Sequence, residues 1–326
     1  MGAAVAVSLA AALPSVGRPG GPLRPELTVA WGATCGIFVL TGLALPTHEL
    51  AAAARRVREH ALIQGYNLAF MPLATVLACG AATRQGLLEP ALRDGMVAMA
   101  CCPTTINMCV ALTRSAGGDV GLAVFNAVLG NLLGVFLTPL LLLRLLGSTG
   151  SVSAAAVLRK LASKVILPLA AGQLARRLLP RAALEGAAKK RLSRGSETLL
   201  LLIIYATFCE TFSTGWPLRG AALARLFVLV LLQHLGFLAT GWALGGAAGL
   251  AAPQRTAFTL CSTQKTLALG LPLLQVVFAG RPDLALICTP LLIQHPLQLL
   301  VGSVNAPRLV EFAEAEQQGE SRSEGQ

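Results

Sequence analysis

Cys101-Cys102-Pro103-Thr104-Thr105 and, 160 residues further on, Cys261-Ser262-Thr263-Gln264-Lys265 are the two stretches on which the reading of this chain turns. Each is polar, each begins with cysteine, and each lies in the middle of a long apolar run. Pro103 has no amide hydrogen and cannot continue a regular helix. Unwound backbone at membrane depth is tolerated only where protein or a wet cavity surrounds it. Polar, helix-interrupting segments at matching positions in two halves of a chain mark a secondary transporter whose cargo site lies where two broken helices cross. The expectation is an all-α polytopic membrane protein: ten transmembrane helices in two inverted five-helix repeats with broken crossing helices.

Composition agrees. Of 326 residues, 55% are hydrophobic and 13% charged, with a mean hydropathy of +0.68; soluble domains carry about a quarter charged residues. The net charge of +11 comes from basic residues lying between apolar runs rather than on one face. That pattern orients a protein in a bilayer and argues against nucleic acid as a partner. The chain has no H-E-x-x-H, no G-x-x-x-x-G-K-[ST] and no G-x-S-x-G, so the common ATP-driven pumps and metalloproteases are unsupported. An enzyme, a cofactor and a metal site are not expected. The eight cysteines fall inside apolar spans without loop pairs or histidine at metal spacing, and read as packing residues.

Ten spans can be placed at roughly 1–16, 27–46, 61–80, 91–113, 120–146, 152–178, 197–214, 221–245, 256–279 and 283–305. They give a membrane domain over 1–310, with repeats at about 1–146 and 152–305, followed by an acidic tail over 311–326 that reads as disordered and cytoplasmic. The first span, Ala3 to Leu13, is short, and no basic region precedes it as a signal peptide would require. The largest polar interruption runs from Arg176 to Arg194. Basic clusters at Arg55, Arg56 and Arg58, and at Arg176, Arg177, Arg181, Lys189, Lys190, Arg191 and Arg194, share one side with both termini; the positive-inside rule makes that side cytoplasmic.

Candidate pathway residues follow from the two interruptions. In the first, Cys102, Pro103, Thr104, Thr105 and Asn107 supply a break and oxygen ligands. In the second, Cys261, Ser262, Thr263, Gln264, Lys265 and Thr266 do the same, with Lys265 the outlier. A lysine at the centre of a span costs at least ~3 kcal/mol and must face the interior, find a partner or lose its proton. Glu210 either pairs with it or lies at its helix end facing water. His295, before Pro296, is either a proton relay or a packing histidine. Asn67 and Asn126 add polar points to the pathway, and Asn131, Gln294 and Gln298 read as amides that join helices. Gly130 with Gly134, and Gly241 with Gly245, have the spacing that permits close helix approach, a weakly specific pattern in a glycine-rich chain.

At these residues the chain resembles the sodium/bile acid cotransporter family, solute carrier family 10. Cys101-Cys102-Pro103 is similar to the start of that family's C-C-P-G-G crossover, and the ten-span inverted layout matches. The resemblance extends over Gly20 to Glu26, the run YATFCETFS from Tyr205 to Ser213, CSTQKTLALGLPLLQVVFAG from Cys261 to Gly280, and HPLQLLVGS from His295 to Ser303. Bile acid carriers read E-x-x-x-Q-N in the second crossover, where the glutamate and glutamine help to bind sodium. The matching positions here are Cys261, Lys265 and Thr266, and Asn67 matches a glutamine of the third span. A cation at ~4 Å from a protonated Lys265 would be repelled by about 4 kcal/mol at an effective dielectric of 20. Sodium or proton coupling stays open without support from these residues, and an anionic small-molecule solute suits the fixed charge better than bile acid symport. The branch of the family that the chain most resembles implies calcium homeostasis, with restraint of store-operated calcium entry and calcium-entry machinery as a partner. It also implies a part in glycosaminoglycan and glycoprotein synthesis, extracellular matrix and skeletal mineralisation, at the plasma membrane, endoplasmic reticulum and Golgi. The competing reading is a membrane regulator of calcium entry that keeps the carrier fold without turnover.

Overall fold

The structure is a computed structural model that describes residues 2–44, 56–146, 159–180, 184, 186–215 and 220–324. Arg55, Arg181 and the span ends expected at 46 and 152 lie outside the described residues, as do the side chains of Lys189 and of the tail beyond Phe312. Among the described residues the chain is all-helical, with no strand. Six helices are long and apolar enough to cross a membrane. They are α2 (Pro25–Ala44), α3 (Val57–Arg84), α6 (Val120–Leu146), α8 (Gly186–Thr214), α9 (Gly220–Ala247) and α12 (Leu284–Glu324), the last apolar to Phe312. A short apolar α1 (Gly2–Ala12) precedes them. Between α6 and α8, α7 opens with a π turn at Ala162–Ile166 and continues as Leu167–Leu178.

Apart from a single turn at Pro14–Gly17, the remaining four helices are two broken pairs. Pro90–Cys101 (α4) and Ile106–Ser115 (α5) are separated by the first interruption; Ala252–Thr263 (α10) and Leu267–Val277 (α11) by the second. The cause is local. Pro103 denies the helix a donor and pushes the residue before it out of the helical region; Cys102 is accordingly extended, at φ −68° and ψ 145°. The second break has no proline, and Gln264 and Thr266 are extended there at ψ 107° and 124°.

Two groups of helices meet across an apolar seam. On one side Phe38 of α2 and Val165 and Leu169 of α7 are buried; on the other Val135 of α6 and Leu273 of α11 face them. Within the first group α2 and α7 cross so closely that a Cβ on Gly172 would stand 2.2 Å from the carbonyl oxygen of Val39. Two segments differ from the sequence expectation. Residues 186–194, inside the expected polar interruption, form the first turns of α8, because Ala, Lys and Arg are good helix formers and a long helix can extend past the bilayer. The backbone of α12 is helical to Glu324 through a stretch rich in Ala, Glu and Gln, where a disordered tail was expected.

Candidate functional site

The two breaks lie against each other in antiparallel fashion. Thr105 N donates to Gln264 O at 3.0 Å, and Thr266 N donates to Pro103 O at 2.9 Å, which makes Thr104 and Lys265 a bridged pair. Each break thereby satisfies part of the backbone that the other frees, as a buried peptide must. Helix α6 braces the first break. Asn131 donates to Thr104 O at 2.6 Å, and Thr138 to Cys101 O at 2.7 Å. Gly134 lets the break come close, since a Cβ there would lie 2.6 Å from Pro103 Cγ. Helix α12 braces the second: Gln298 accepts from Lys265 N and donates to Lys265 O, both at 2.8 Å.

Lys265 is 1% exposed, and its ammonium is surrounded by neutral oxygens. Nζ donates to Ala100 O at 2.7 Å, to Cys102 O at 3.0 Å, to Asn67 O at 3.3 Å and to the Asn67 side-chain oxygen. Ala100 and Cys102 supply the last carbonyls of α4, the negative end of that helix's dipole, where a cation is favoured by up to about 2 kcal/mol in partly buried settings. Asn67 reaches the ammonium from a π turn in α3 at Tyr66–Phe70; such single-turn π segments often mark functional positions. Its amide also donates to Thr104 Oγ1 at 3.1 Å, and that hydroxyl donates to Cys261 O. A ring of carbonyl oxygens around one positive charge is the coordination a monovalent cation receives in a filter, and here a tethered ammonium fills it.

The structure therefore brings together Cys102, Pro103, Thr104, Thr105, Cys261, Gln264, Lys265, Thr266 and Asn67. Ser262, Thr263 and Gln264 are fully buried beside them, and Ser262 Oγ and both polar side-chain atoms of Gln264 have no hydrogen-bond partner. The Cys109 and Cys261 thiols lie 3.0 Å apart, and all eight cysteines are free. Asn107 stands exposed in the first turn of α5. Asn126 belongs to a different cluster, bonded to His60 and Gln64.

Glu210 and His295 lie away from the crossing. Glu210 does not meet Lys265, whose acceptors are all neutral; it lines a cavity of about 300 Å³ with Glu26, Thr34, Lys164, Thr207 and Gln275. That cavity lies on the seam between the two helix groups, and Lys164 there stacks over the Trp31 ring at 4.7 Å. His295 is not on the polar chain to Lys265, and its Nδ1 is buried without a partner. Its neighbour Gln294 is on that chain instead, linking His234 Nδ1 at 2.9 Å to Gln298 at 3.5 Å. The helical pitch explains the exchange: Gln294 and Gln298 share one face four residues apart, and His295 is rotated off it. His60 and His234 escaped the sequence reading.

The broken helices are tied down at both ends. At one end Arg56 pairs with Asp119, Arg58 donates to Ala248 O at 2.5 Å, and Asp119 N donates to Pro253 O at 2.9 Å. At the other, the buried Asp94 of α4 pairs with Arg93 at 2.7 Å and with Arg281 at 3.2 Å, and Arg281 also holds Asp283 at 2.5 Å. The Arg281 hydrogen bond keeps the Asp283 carboxyl below its usual range.

A multi-pass membrane protein with crossed, polar helix breaks braced by its other helices has the architecture of a secondary transporter. The SBF-like CPA transporter family profile matches residues 1–311, and the chain belongs to that transporter family. It is 38% identical over 312 residues to sodium/bile acid cotransporter 7 of Danio rerio, covering 95% of this chain and 92% of that one. It is 37% identical over 324 residues to the Mus musculus protein of the same name, covering 98% and 94%. Sodium/bile acid cotransporter 7-B of Xenopus laevis is 36% identical over 301 residues, covering 91% and 86%.

Proposed function

We propose that the protein is a carrier of a small anionic solute that works by alternating access about the crossing of residues 101–107 and 261–266. In this reading the chain crosses the bilayer ten times in two inverted five-helix repeats, 1–146 and 152–305, with both termini cytoplasmic. The two broken pairs, one in each half, support it, because paired discontinuous helices are the hallmark of inverted-repeat carriers. One observation carries the assignment: the ammonium of Lys265 sits in a cage of carbonyls where a coupling cation would be held. A fixed charge there takes the place of sodium and offers an anion a counter-charge. The relatives' name speaks of sodium and bile acid; a sodium ion near this ammonium would be opposed by about 4 kcal/mol. The seam cavity beside Lys164 is the vestibule, and the apolar seam is the surface on which the helix groups slide.

The resemblance to the cotransporter 7 proteins adds calcium homeostasis, with restraint of store-operated calcium entry at the plasma membrane, endoplasmic reticulum and Golgi. It adds a part in glycosaminoglycan and glycoprotein synthesis and in mineralisation, which solute supply to the secretory pathway would explain. The test is store-operated calcium entry in cells lacking the protein, rescued with wild type, Lys265→Ala or a deletion of residues 313–326. Lys265→Ala that reaches the membrane and fails to restore restraint supports the carrier. Full rescue by Lys265→Ala with failure of the deletion favours a regulator acting through calcium-entry partners, and overturns it.

A further inference from the structure

We infer that the basic rim formed by the end of α7 and the start of α8 is a binding site for an anionic phospholipid whose headgroup carries several phosphates. The inference goes beyond transport. It rests only on the orientation proposed above, which turns this rim to the cytoplasmic leaflet.

Packing brings the two stretches to the same end of α2. Helices α2 and α8 run antiparallel: a Cβ on Gly36 would stand 2.8 Å from Leu199 Cδ1, and one on Gly195 would stand 3.4 Å from Leu40 Cδ1. One turn further in that register, Arg191 is level with Ala44, where α2 ends. Helix α7 meets the same end: Gly172 packs on Gly42, and Arg176 donates to Leu43 O. Each of α7 and α8 lies one helix spacing, about 8–10 Å, from α2, so long basic side chains from both sides border one patch. Its depth follows from α2. The 20 residues of Pro25–Ala44 cover about 30 Å, the thickness of the hydrocarbon core, which sets Arg191 at headgroup level. Leu167, Leu174 and Leu178 of α7 are 66%, 60% and 79% exposed on one face, the face that meets lipid chains, and Arg177 is exposed beside the last two.

The charge of the patch is not balanced from within. Residues 176–194 hold seven lysines and arginines against one acidic residue, Glu185. Arg177, Lys190, Arg191 and Arg194 are exposed, and among the described residues none of them has an ion-pair partner. Basic residues at other helix ends are held: Arg56 by Asp119, Arg93 by Asp94, and Arg281 by Asp94 and Asp283. Glu197, nearly one turn on from Arg194, accepts from Ser193 Oγ at 3.3 Å. A dense basic cluster immediately outside a membrane helix on the cytoplasmic side is the pattern that recruits anionic lipid. Five of the seven are arginines, whose planar guanidinium grips phosphate through two parallel hydrogen bonds. Four unpaired cations around one patch match a headgroup with two phosphate monoesters, each approaching a charge of about −2, better than a headgroup of single net charge.

The test is a titration of purified full-length protein in detergent with phosphatidylinositol bisphosphate, bound lipid being read by native mass spectrometry. Arg177→Gln combined with Arg191→Gln should weaken binding about 25-fold, roughly fivefold for each neutralised charge. Arg84→Gln combined with Arg225→Gln, the same charge change at the opposite end of the bundle, should leave it unaltered. Neither equimolar phosphatidylserine nor equimolar inositol trisphosphate should displace the lipid. Elution profile and thermal midpoint identify variants that have lost the fold. Equal weakening by both double variants, or displacement by phosphatidylserine, leaves only general surface charge and overturns the site. Displacement by free inositol trisphosphate makes the rim a soluble-phosphate site and overturns the lipid. Absence of bound phosphatidylinositol bisphosphate overturns the proposal outright. None of these outcomes touches the carrier reading, which the calcium-entry rescue tests separately.

Discussion

The first break, Cys102 to Thr105, and the second, Gln264 to Thr266, have the same backbone plan and opposite chemistry. Both are extended turns between two half-helices, and each closes hydrogen bonds on the other. The first is made by a proline and presents carbonyls. The second has no proline and presents the lysine that those carbonyls receive. The likeness thus ends at the backbone: the first break supplies the cage and the second the charge that fills it. An unpaired carbonyl end of a half-helix at membrane depth needs a cation, and a side chain meets that need permanently where a diffusing ion would meet it only when bound.

The largest effect should come from separating charge and cage. Lys265→Met leaves Ala100 O, Cys102 O and the Asn67 amide buried with no donor, and at about 1–3 kcal/mol per orphaned group the thermal midpoint of purified protein should fall more than for any other single change in either break. Equal stability in this variant would mean that the cage hydrates or collapses, and that the two breaks are not interdependent. Next is the end tie of the first broken helix. Asp94→Ala takes one carboxylate from Arg281, which keeps Asp283, and from Arg93, and the loss of these charge-assisted hydrogen bonds should cost about 2–3 kcal/mol, measurable by the same melt. The braces follow and compare the breaks directly. Gln298→Leu removes both hydrogen bonds to Lys265 backbone and should cost about 2 kcal/mol, against about 1 kcal/mol for Asn131→Leu, which removes one to Thr104 O. The reverse order would make the first break the more fragile. The smallest effect concerns pH. Asp283 is held below its usual range by Arg281, so its contribution is fully present above the carboxyl's unfolded value and is lost as pH falls through the lower folded one. A melt series should show the contribution of this pair constant near neutrality and lost only in acid, and Asp283→Asn should flatten that acid limb.

The sequence made the two breaks visible because proline and charge in an apolar run have no cheap alternative explanation. It also marked Asn131, Gln294 and Gln298 as joining amides, and Gly130 and Gly134 as sites of close approach. Gly134 admits Pro103, and Gly130 leaves room for Gln64. It missed the partner of Lys265. A carboxylate was one choice for a buried ammonium, yet the acceptors are three backbone carbonyls, which every residue has, and the side-chain oxygen of Asn67. His60 and His234 were missed for a related reason: a lone histidine in an apolar helix is informative only once its neighbours are known.

What the sequence by itself determined is therefore the membrane setting, the helical class and the two places where the helices must open, since bilayer thickness, proline geometry and the cost of buried charge are all local properties of a chain. The tertiary structure alone decided which groups meet. Lys265 reaches Asn67 across 198 residues and α4's last carbonyls across 165 and 163, and contacts of that span depend on how the helices pack rather than on any one helix. The same packing took Glu210 to the seam cavity, turned His295 off the polar face, and set the ammonium in the carbonyl cage where the two halves cross.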